Sequence, residues 1–486
     1  MKFQSMEIIT LRLRDIRKSE NSQAFQANQI LSISKPTPEN LEVYDVKDGS
    51  LSIFHEFLNL TTNSLKLLCK LLSVGWHVPI QKQTACGPLK CLFISHSFKS
   101  FSESSDPVDH FFGRLPDLAR DRGFLPDVHF INQVSSSLQA REIVTEKNLR
   151  SSKTIGIYSL NVHYFLLYLK NLLLALKLFL RGLRATIDER GLILRIAVAQ
   201  VSLQTFKNQI IANHILKEIK SGEVGEIWLT FEGHAYERAV LQAIKQAGAL
   251  ININLYQHAP IIPGQIGVME LLEDFGSMVD VHTCGNVTYK YLLSAFPELN
   301  ARVHVAGSMK NSAKQKIYTG GNRKNKGFLL FLPEGTSQSL LSMVDLALDV
   351  SVLNDSANIL FRLHPNSPNK AAQMAQQLLK KANVRLSYGT LIDDFCSSYA
   401  CVYRSSAAVI ESLAYELLPI YFSPSGDRSL DCLALSSLKY PLIDSALSLA
   451  ELLSGDELKF VSEYFSSKNE FEEFSEQYFT PLVIDT

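Results

Sequence analysis

Residues 226–260 read EIWLTFEGHAYERAVLQAIKQAGALININLYQHAP. A short apolar run, Glu226–Phe231, ends at a glycine turn. An amphipathic stretch follows over 234–247, and then a second apolar run, Ile251–Tyr256. Short continuous apolar runs alternating with helical stretches mark a parallel sheet covered on both faces. The alternation extends outward. Further apolar runs lie at Cys91–Ser95, Val128–Ile131, Thr154–Tyr158, Val279–Thr283 and Val303–Ala306, with another helical stretch at 286–295. Residues 311–326 (NSAKQKIYTGGNRKNK) are polar and carry a Gly-Gly pair, the best linker in the chain. Beyond it a second block alternates in the same way. Its strands are expected at Gly327–Leu332, Ile359–Leu363, Val384–Leu386, Cys401–Tyr403 and Leu418–Phe422, and its helices at 336–352, 368–382 and 405–416. The organisation read from this is an N-terminal elaboration (1–85), an α/β domain (86–312), a linker (313–326), a second α/β domain (327–443) and C-terminal helices (444–486).

The whole chain has 486 residues, with Lys plus Arg 48 and Asp plus Glu 48, so the net charge is zero. That argues against a general nucleic-acid binder, which needs surplus cations to displace phosphate counterions. The seven cysteines are odd in number and lack CxxC spacing, which suits structural thiols in a reducing compartment. The N-terminus places Arg12, Arg14 and Asp15 where a secretory signal needs an apolar core, so the cytoplasm is the default location. One stretch, YFLLYLKNLLLALKLFLRGL at 164–183, is interrupted by Lys170, Lys177 and Arg181, which share a helical face with Arg184. It reads either as a core-packed helix with lysines reaching outward or as a helix lying on the surface of the inner membrane.

Chemistry-bearing residues fall at the expected strand ends, where doubly wound sheets bind ligands. Glu232 follows the strand at 226–231 and is a candidate general base, or else a cap for the next helix. Glu237, inside that helix, reads as a structural partner. His258 follows the strand at 251–256 and could face the same pocket as His234. Arg362, His364 and Pro365 end the strand at 359–363, and His364 could hold a phosphate. Ser405 and Ser406 begin a helix, either capping it or binding an anion at its N-terminus, with Glu411 farther along. Gly335 and Thr336 form a similar strand-to-helix turn. P-loop and GxGxxG fingerprints are absent, and so are D-x-D, HExxH and GxSxG motifs. Metal-independent chemistry is therefore expected.

Taken together, Phe231-Glu232-Gly233, His364-Pro365 and Ser405-Ser406 resemble, in order, the motifs of GT-B glycosyltransferases that use CMP-activated sugars, the bacterial sialyl, polysialyl and Kdo transferases. The chain from about 88 to 480 also resembles bacterial surface-carbohydrate biosynthesis proteins. The resemblance implies an α/β GT-B fold of two Rossmann-like doubly wound domains facing across a cleft. It implies that Glu232 deprotonates an acceptor hydroxyl, and that His364, Ser405 and Ser406 bind the donor phosphate. The implied partners are a nucleotide-sugar donor as substrate and a glycan or lipid-linked glycan acceptor, with no other cofactor. Phe231 stands where the family pattern has a first acid. Three other readings are a CDP-polyol phosphotransferase, a nucleotide-sugar 2-epimerase and a non-catalytic glycan-assembly protein.

Overall fold

A computed structural model of the chain describes residues 13–16, 26–28, 53–73, 89–97, 111–113, 115–132, 152–155, 162–308, 327–365, 367–380, 382 and 384–454. The 313–326 linker, most of the 1–85 elaboration and the helices expected beyond 454 lie outside the described residues. By its contacts the chain divides into two units. The first runs to His258 and includes Gln265–His282; the second takes Ala259–Gly264 and the chain from Thr283 onward.

The first sheet uses β1 (Lys90–Ser97), β2 (Leu125–Asn132), β3 (Ser152–Ile155), β4 (Val224–Thr230), β5 (Asn252–Tyr256), β6 (Asp280–Thr283) and β7 (Val303–Val305). Its order is β3-β2-β1-β4-β5-β6-β7, and the pairs from β3 through to β6 are parallel. The second sheet uses β8 (Phe328–Leu332), β9 (Ile359–Phe361), β10 (Val384–Leu386), β11 (Ser398–Tyr403), β12 (Leu418–Phe422) and β13 (Leu442–Ile443). Its order is β10-β9-β8-β11-β12-β13, again parallel throughout. Numbered within each sheet, the second runs 3-2-1-4-5-6, the doubly wound Rossmann order, and the first runs the same with β7 added beyond β6. The expected pair of Rossmann-like α/β halves is therefore present.

The helices in chain order are α1 (Ile53–Ser73), α2 (Leu115–Asp121), α3 (Val162–Arg184), α4 (Ile187–Gln200), α5 (Leu203–Lys220), α6 (Ala235–Ala247), α7 (Ile266–Phe275), α8 (Asn286–Ala295), α9 (Ser337–Leu353), α10 (Asn369–Leu379), α11 (Leu391–Ser397), α12 (Ala408–Leu413) and α13 (Ala446–Ser454). In the second unit, alternate strand residues point to opposite faces. Leu329, Phe331, Ile359, Phe361, Val402 and Ile420 pack on one side with residues of α9, α10 and α13. Leu330, Leu332, Leu360, Cys401, Tyr403 and Tyr421 pack on the other with Phe395, Val409 and Leu413. Both faces are covered, which is why these strands read as unbroken apolar runs.

In the first unit α3 and α4 form a tight hairpin. A Cβ on Gly182 would lie 2.7 Å from Leu194 Cδ2, so the close approach of the two helices leaves room for a larger residue only if the Leu194 side chain shifts. A buried amide network fixes the rotation of α3. Gln200 Nε2 and Gln209 Nε2 donate to Asn171 Oδ1 at 2.9 and 2.7 Å, and Asn171 Nδ2 donates to Gln209 Oε1 at 2.6 Å. A displaced register would leave these buried amides unsatisfied, at about 1–3 kcal/mol each.

Two local expectations are corrected. The strand expected over 359–363 ends at Phe361, so Arg362, Leu363 and His364 lie past it. The helix expected over 405–416 contracts to Ala408–Leu413. Ser405 adopts a left-handed backbone (φ 57°), which no α-helix contains. Neither serine is the residue preceding the helix; that position is Ala407, with no side-chain cap.

Candidate active site

Glu232 lies just past β4 and His258 just past β5, adjacent parallel strands, so their side chains start from the same edge of the sheet. The carboxylate stands between two imidazoles. Its Oε2 is 2.6 Å from His234 Nε2, and its Oε1 is 3.1 Å from His258 Nε2. The Glu232 and His234 side chains are 25% and 33% exposed, the His258 side chain only 10%, so solvent reaches the carboxylate and the His234 ring. The Phe111 ring packs edge-on to His258 at 4.4 Å between centroids. His258 Nδ1 is buried and has no hydrogen-bond partner among the described residues.

The turn carrying Glu232 is built by Glu237. One carboxylate oxygen, Oε2, accepts the backbone N–H groups of Gly233 and His234 at 2.8 and 3.0 Å. The Glu232 N–H reaches both oxygens at 3.2 and 3.3 Å, and Thr230 Oγ1 donates to Oε1 at 3.0 Å. Glu237, third residue of α6, thus satisfies the backbone N–H groups of the turn before the helix, including that of the N-cap His234, in place of the capping role considered for Glu232. From α7's preceding loop, Gln265 Nε2 donates to the Glu232 carbonyl at 2.9 Å. This contact joins residues 33 apart in sequence, and nothing local in the sequence announces it.

Charge is set by the cluster itself. Burial disfavours a charged Glu232, but the charge of His258 and the hydrogen bonds from both imidazoles outweigh it and hold the carboxyl well below its usual range. Burial likewise opposes a charged His234. The hydrogen bond and charge of Glu232, with the charge of Glu237, overcome it and raise His234 to about 9. Burial, aided by the charge of Glu232, lifts Glu237 to about 7 despite His234 and the backbone donors. The native state therefore keeps the His234 proton from its ordinary 6.5 up to about 9, while an unfolded chain releases it. This contribution to stability is complete below 6.5 and is lost as pH rises through 9. Glu237 has the same sign, but its window, 4.5 to about 7, lies lower. Thermal unfolding should show Tm falling between about pH 7 and 9, with the slope flattened in His234→Gln.

In the second unit the remaining candidates sit at the carboxyl ends of β9, β8 and β11, consecutive in the sheet and parallel. The order in which strands are added reverses between β8 and β11, the place where doubly wound sheets bind ligands. Gly335 and Thr336 follow β8. The Thr336 side chain accepts from Ser339 N at 3.3 Å, so it caps α9. Ser405 and Ser406 follow β11, and both are buried. Ser405 Oγ has no hydrogen-bond partner, and its residue holds strained backbone. Such strain persists where the surroundings impose it, often at ligand sites. The six-residue α12 offers little helix dipole.

Arg362 is held inward. Its Nη1 donates to Asp394 Oδ2 at 2.6 Å, Gly389 O at 3.0 Å and Ser387 Oγ at 3.2 Å. It ties the end of β9 to α11, a structural use of the residue. His364 is half-buried, with its carbonyl accepting Ser367 N at 3.0 Å, and Pro365 is exposed. Glu411 lies half-buried on α12. A residue not foreseen is Asp431. It is fully buried and accepts from Tyr403 Oη at 2.6 Å, Tyr440 Oη at 2.5 Å and Arg428 Nε at 3.0 Å. Among the described residues, no three His, Cys, Asp or Glu side chains form a group that could hold a metal ion.

No protein-family model and no curated protein matches the chain. Solved structures do. MurG from Acinetobacter baumannii is 10% identical, with 81% of this chain and 96% of that chain covered and a TM-score of 0.45. UDP-GlcNAc 2-epimerase from Neisseria meningitidis, bound to UDP-GlcNAc, is 10% identical, with 81% and 95% covered and a TM-score of 0.44. The Methanocaldococcus jannaschii UDP-GlcNAc 2-epimerase, in complex with UDP-GlcNAc and UDP, is 11% identical, with 75% and 92% covered and a TM-score of 0.44.

Proposed function

We propose that the chain is a glycosyltransferase of GT-B type acting on a nucleotide-sugar donor. The observation that carries the proposal is the Glu232 carboxylate held ionised between two imidazoles, at the carboxyl edge of a doubly wound sheet. A glycosyl transfer needs a base for the acceptor hydroxyl and an anion site for the nucleotide leaving group. Glu232 takes the acceptor proton, and His258 and His234 stabilise and orient it. His364, with the Ser405 and Ser406 hydroxyls, holds the departing phosphate, and Thr336 supports the neighbouring turn. The His-Pro and Ser-Ser motifs favour a donor activated as its CMP ester, carrying a nonulosonic acid or a Kdo-like sugar. The acceptor is then a surface glycan or a lipid-linked glycan.

A thermal-shift panel of CMP, CDP, UDP and GDP tests the donor. CMP should give the largest rise in Tm, followed by CMP release from a CMP-sugar when an acceptor glycan is present. A response confined to UDP, with UDP released in the absence of acceptor, would replace this reading with an epimerase. Ser405→Gly tests the phosphate site. Glycine adopts the left-handed backbone without strain, so the fold should hold. Loss of one hydroxyl bonded to a charged phosphate should weaken nucleotide binding about tenfold or more, from about 1.5–3 kcal/mol. Unchanged affinity would remove Ser405 from the site.

A further inference from the structure

Helix α3 has two faces of unlike character. One face, with Tyr168, Asn171, Ala175, Leu178, Phe179 and Gly182, is buried against the rest of its unit. The opposite face carries Leu166, Leu169, Leu173, Leu176, Leu180 and Leu183, which are 37–68% exposed. These six recur at steps of three and four and form one stripe about 26 Å long. Lys170, Lys177, Arg181 and Arg184 are exposed along the same side of the helix. No acidic residue occurs anywhere from 162 to 187. Helix α1 packs alongside, with Phe57 edge-on to Phe179 at 5.8 Å and Ser64 Oγ 2.8 Å from Tyr168 Oη. It adds exposed Phe57, Leu58 and Leu65, while its one acid, Glu56, is buried. The amide network of Asn171 fixes the rotation of α3, so the leucines face outward by construction.

We infer that this face docks the protein onto an anionic lipid bilayer, with α3 lying in the plane of the interface. An apolar stripe alone would suit many occupants; the charge narrows them. Two copies meeting through this face would bring two sets of cations together, while α3 carries no acid and the one acid of α1 is buried, which opposes self-association. A surface of anionic headgroups over acyl chains matches both features at once, the leucines entering the apolar boundary and the cations meeting phosphates. Insertion across the bilayer is not implied: among the described residues no helix is long and apolar enough to cross a membrane. The inference rests on the α3 face alone and stands apart from the proposed chemistry.

The test is co-sedimentation of the full chain with vesicles of phosphatidylcholine alone or mixed with phosphatidylglycerol. The chain should pellet with the mixed vesicles, bind the neutral ones weakly, and release at high salt. Leu173→Gln/Leu176→Gln/Leu180→Gln should cut binding more than tenfold. Lys170→Gln/Arg184→Gln should cut it about tenfold or more. All five positions are exposed, so an unchanged Tm shows that loss of binding is not loss of fold. Equal pelleting by wild type and the leucine variant would overturn the inference, as would equal binding to neutral and anionic vesicles. A wild-type dimer in light scattering that the leucine variant dissolves would assign the face to self-association instead.

Discussion

Glu232→Gln should lower the rate of sugar transfer by about 10²–10⁴-fold, the usual worth of a positioned general base, and should also lower Tm by removing the charge that stabilises protonated His234. The replacement is nearly isosteric, so the size of the effect comes from proton chemistry. In the wild type both carboxylate oxygens face imidazole nitrogens, at 2.6 Å from His234 and 3.1 Å from His258. An amide can offer an oxygen to only one of them and must turn its NH2 toward the other. It also removes the negative charge that keeps His234 protonated up to about 9. The variant should therefore lose its base and shift the His234 titration downward. The two readouts separate the roles. CMP release from a CMP-sugar reports the base, and imidazole NMR titration reports the charge pairing. A variant with full transfer activity would show that Glu232 serves only to hold the two histidines. His258→Asn gives the complementary measurement: it removes the imidazole whose Nδ1 is buried without a partner among the described residues.

The sequence made the architecture readable because parallel strands buried on both faces leave unbroken apolar runs, and each run here became a strand. The Glu232 turn was readable for a related reason: a charged residue and a glycine directly after such a run must lie at a strand's carboxyl end. What stayed hidden depended on contacts between distant residues. Arg362 reads as part of a strand end, and its partner Asp394 is 32 residues on. The α3–α5 region buries Asn171, Gln200 and Gln209, polar side chains that suggest a surface until one sees that they satisfy one another. The Ser405 turn looked like a helix start because serine is a common N-cap. Its left-handed backbone is imposed by the fold, and residue type alone gives no sign of it. The leucines of α3 left two readings open. Their abundance suggested either core or membrane surface, and only the placement of Gly182 and Asn171 against α4 and α5 decides which residues turn outward.

Gly233→Ala should be the most destabilising single-methyl substitution in the active-site turn, and Gly248→Ala shows why. Both glycines have left-handed backbone, φ 76° at Gly233 and φ 62° at Gly248. An alanine at either position bears the same conformational cost, about 1–2 kcal/mol. Their surroundings differ. A Cβ at Gly248 meets nothing within 4 Å. At Gly233 it would lie 2.5 Å from the Gly267 carbonyl carbon and the Val268 nitrogen. Those are backbone atoms in the first turn of α7, so no side-chain rotation relieves the clash. Either α7 or the Glu232 turn must move, adding about 1–3 kcal/mol of overpacking strain. For a unit of this size each kcal/mol lowers Tm by about 2–4 °C. Gly248→Ala should thus cost a few degrees, and Gly233→Ala about 5–15 °C. The excess is a geometric statement about the site, because the movement that relieves the clash also displaces Glu232 from its two histidines. Transfer activity measured well below Tm should therefore fall in Gly233→Ala and persist in Gly248→Ala. Equal Tm losses in the two variants would mean that α7 yields freely, and that the close approach at Gly233 does not hold the catalytic turn in place.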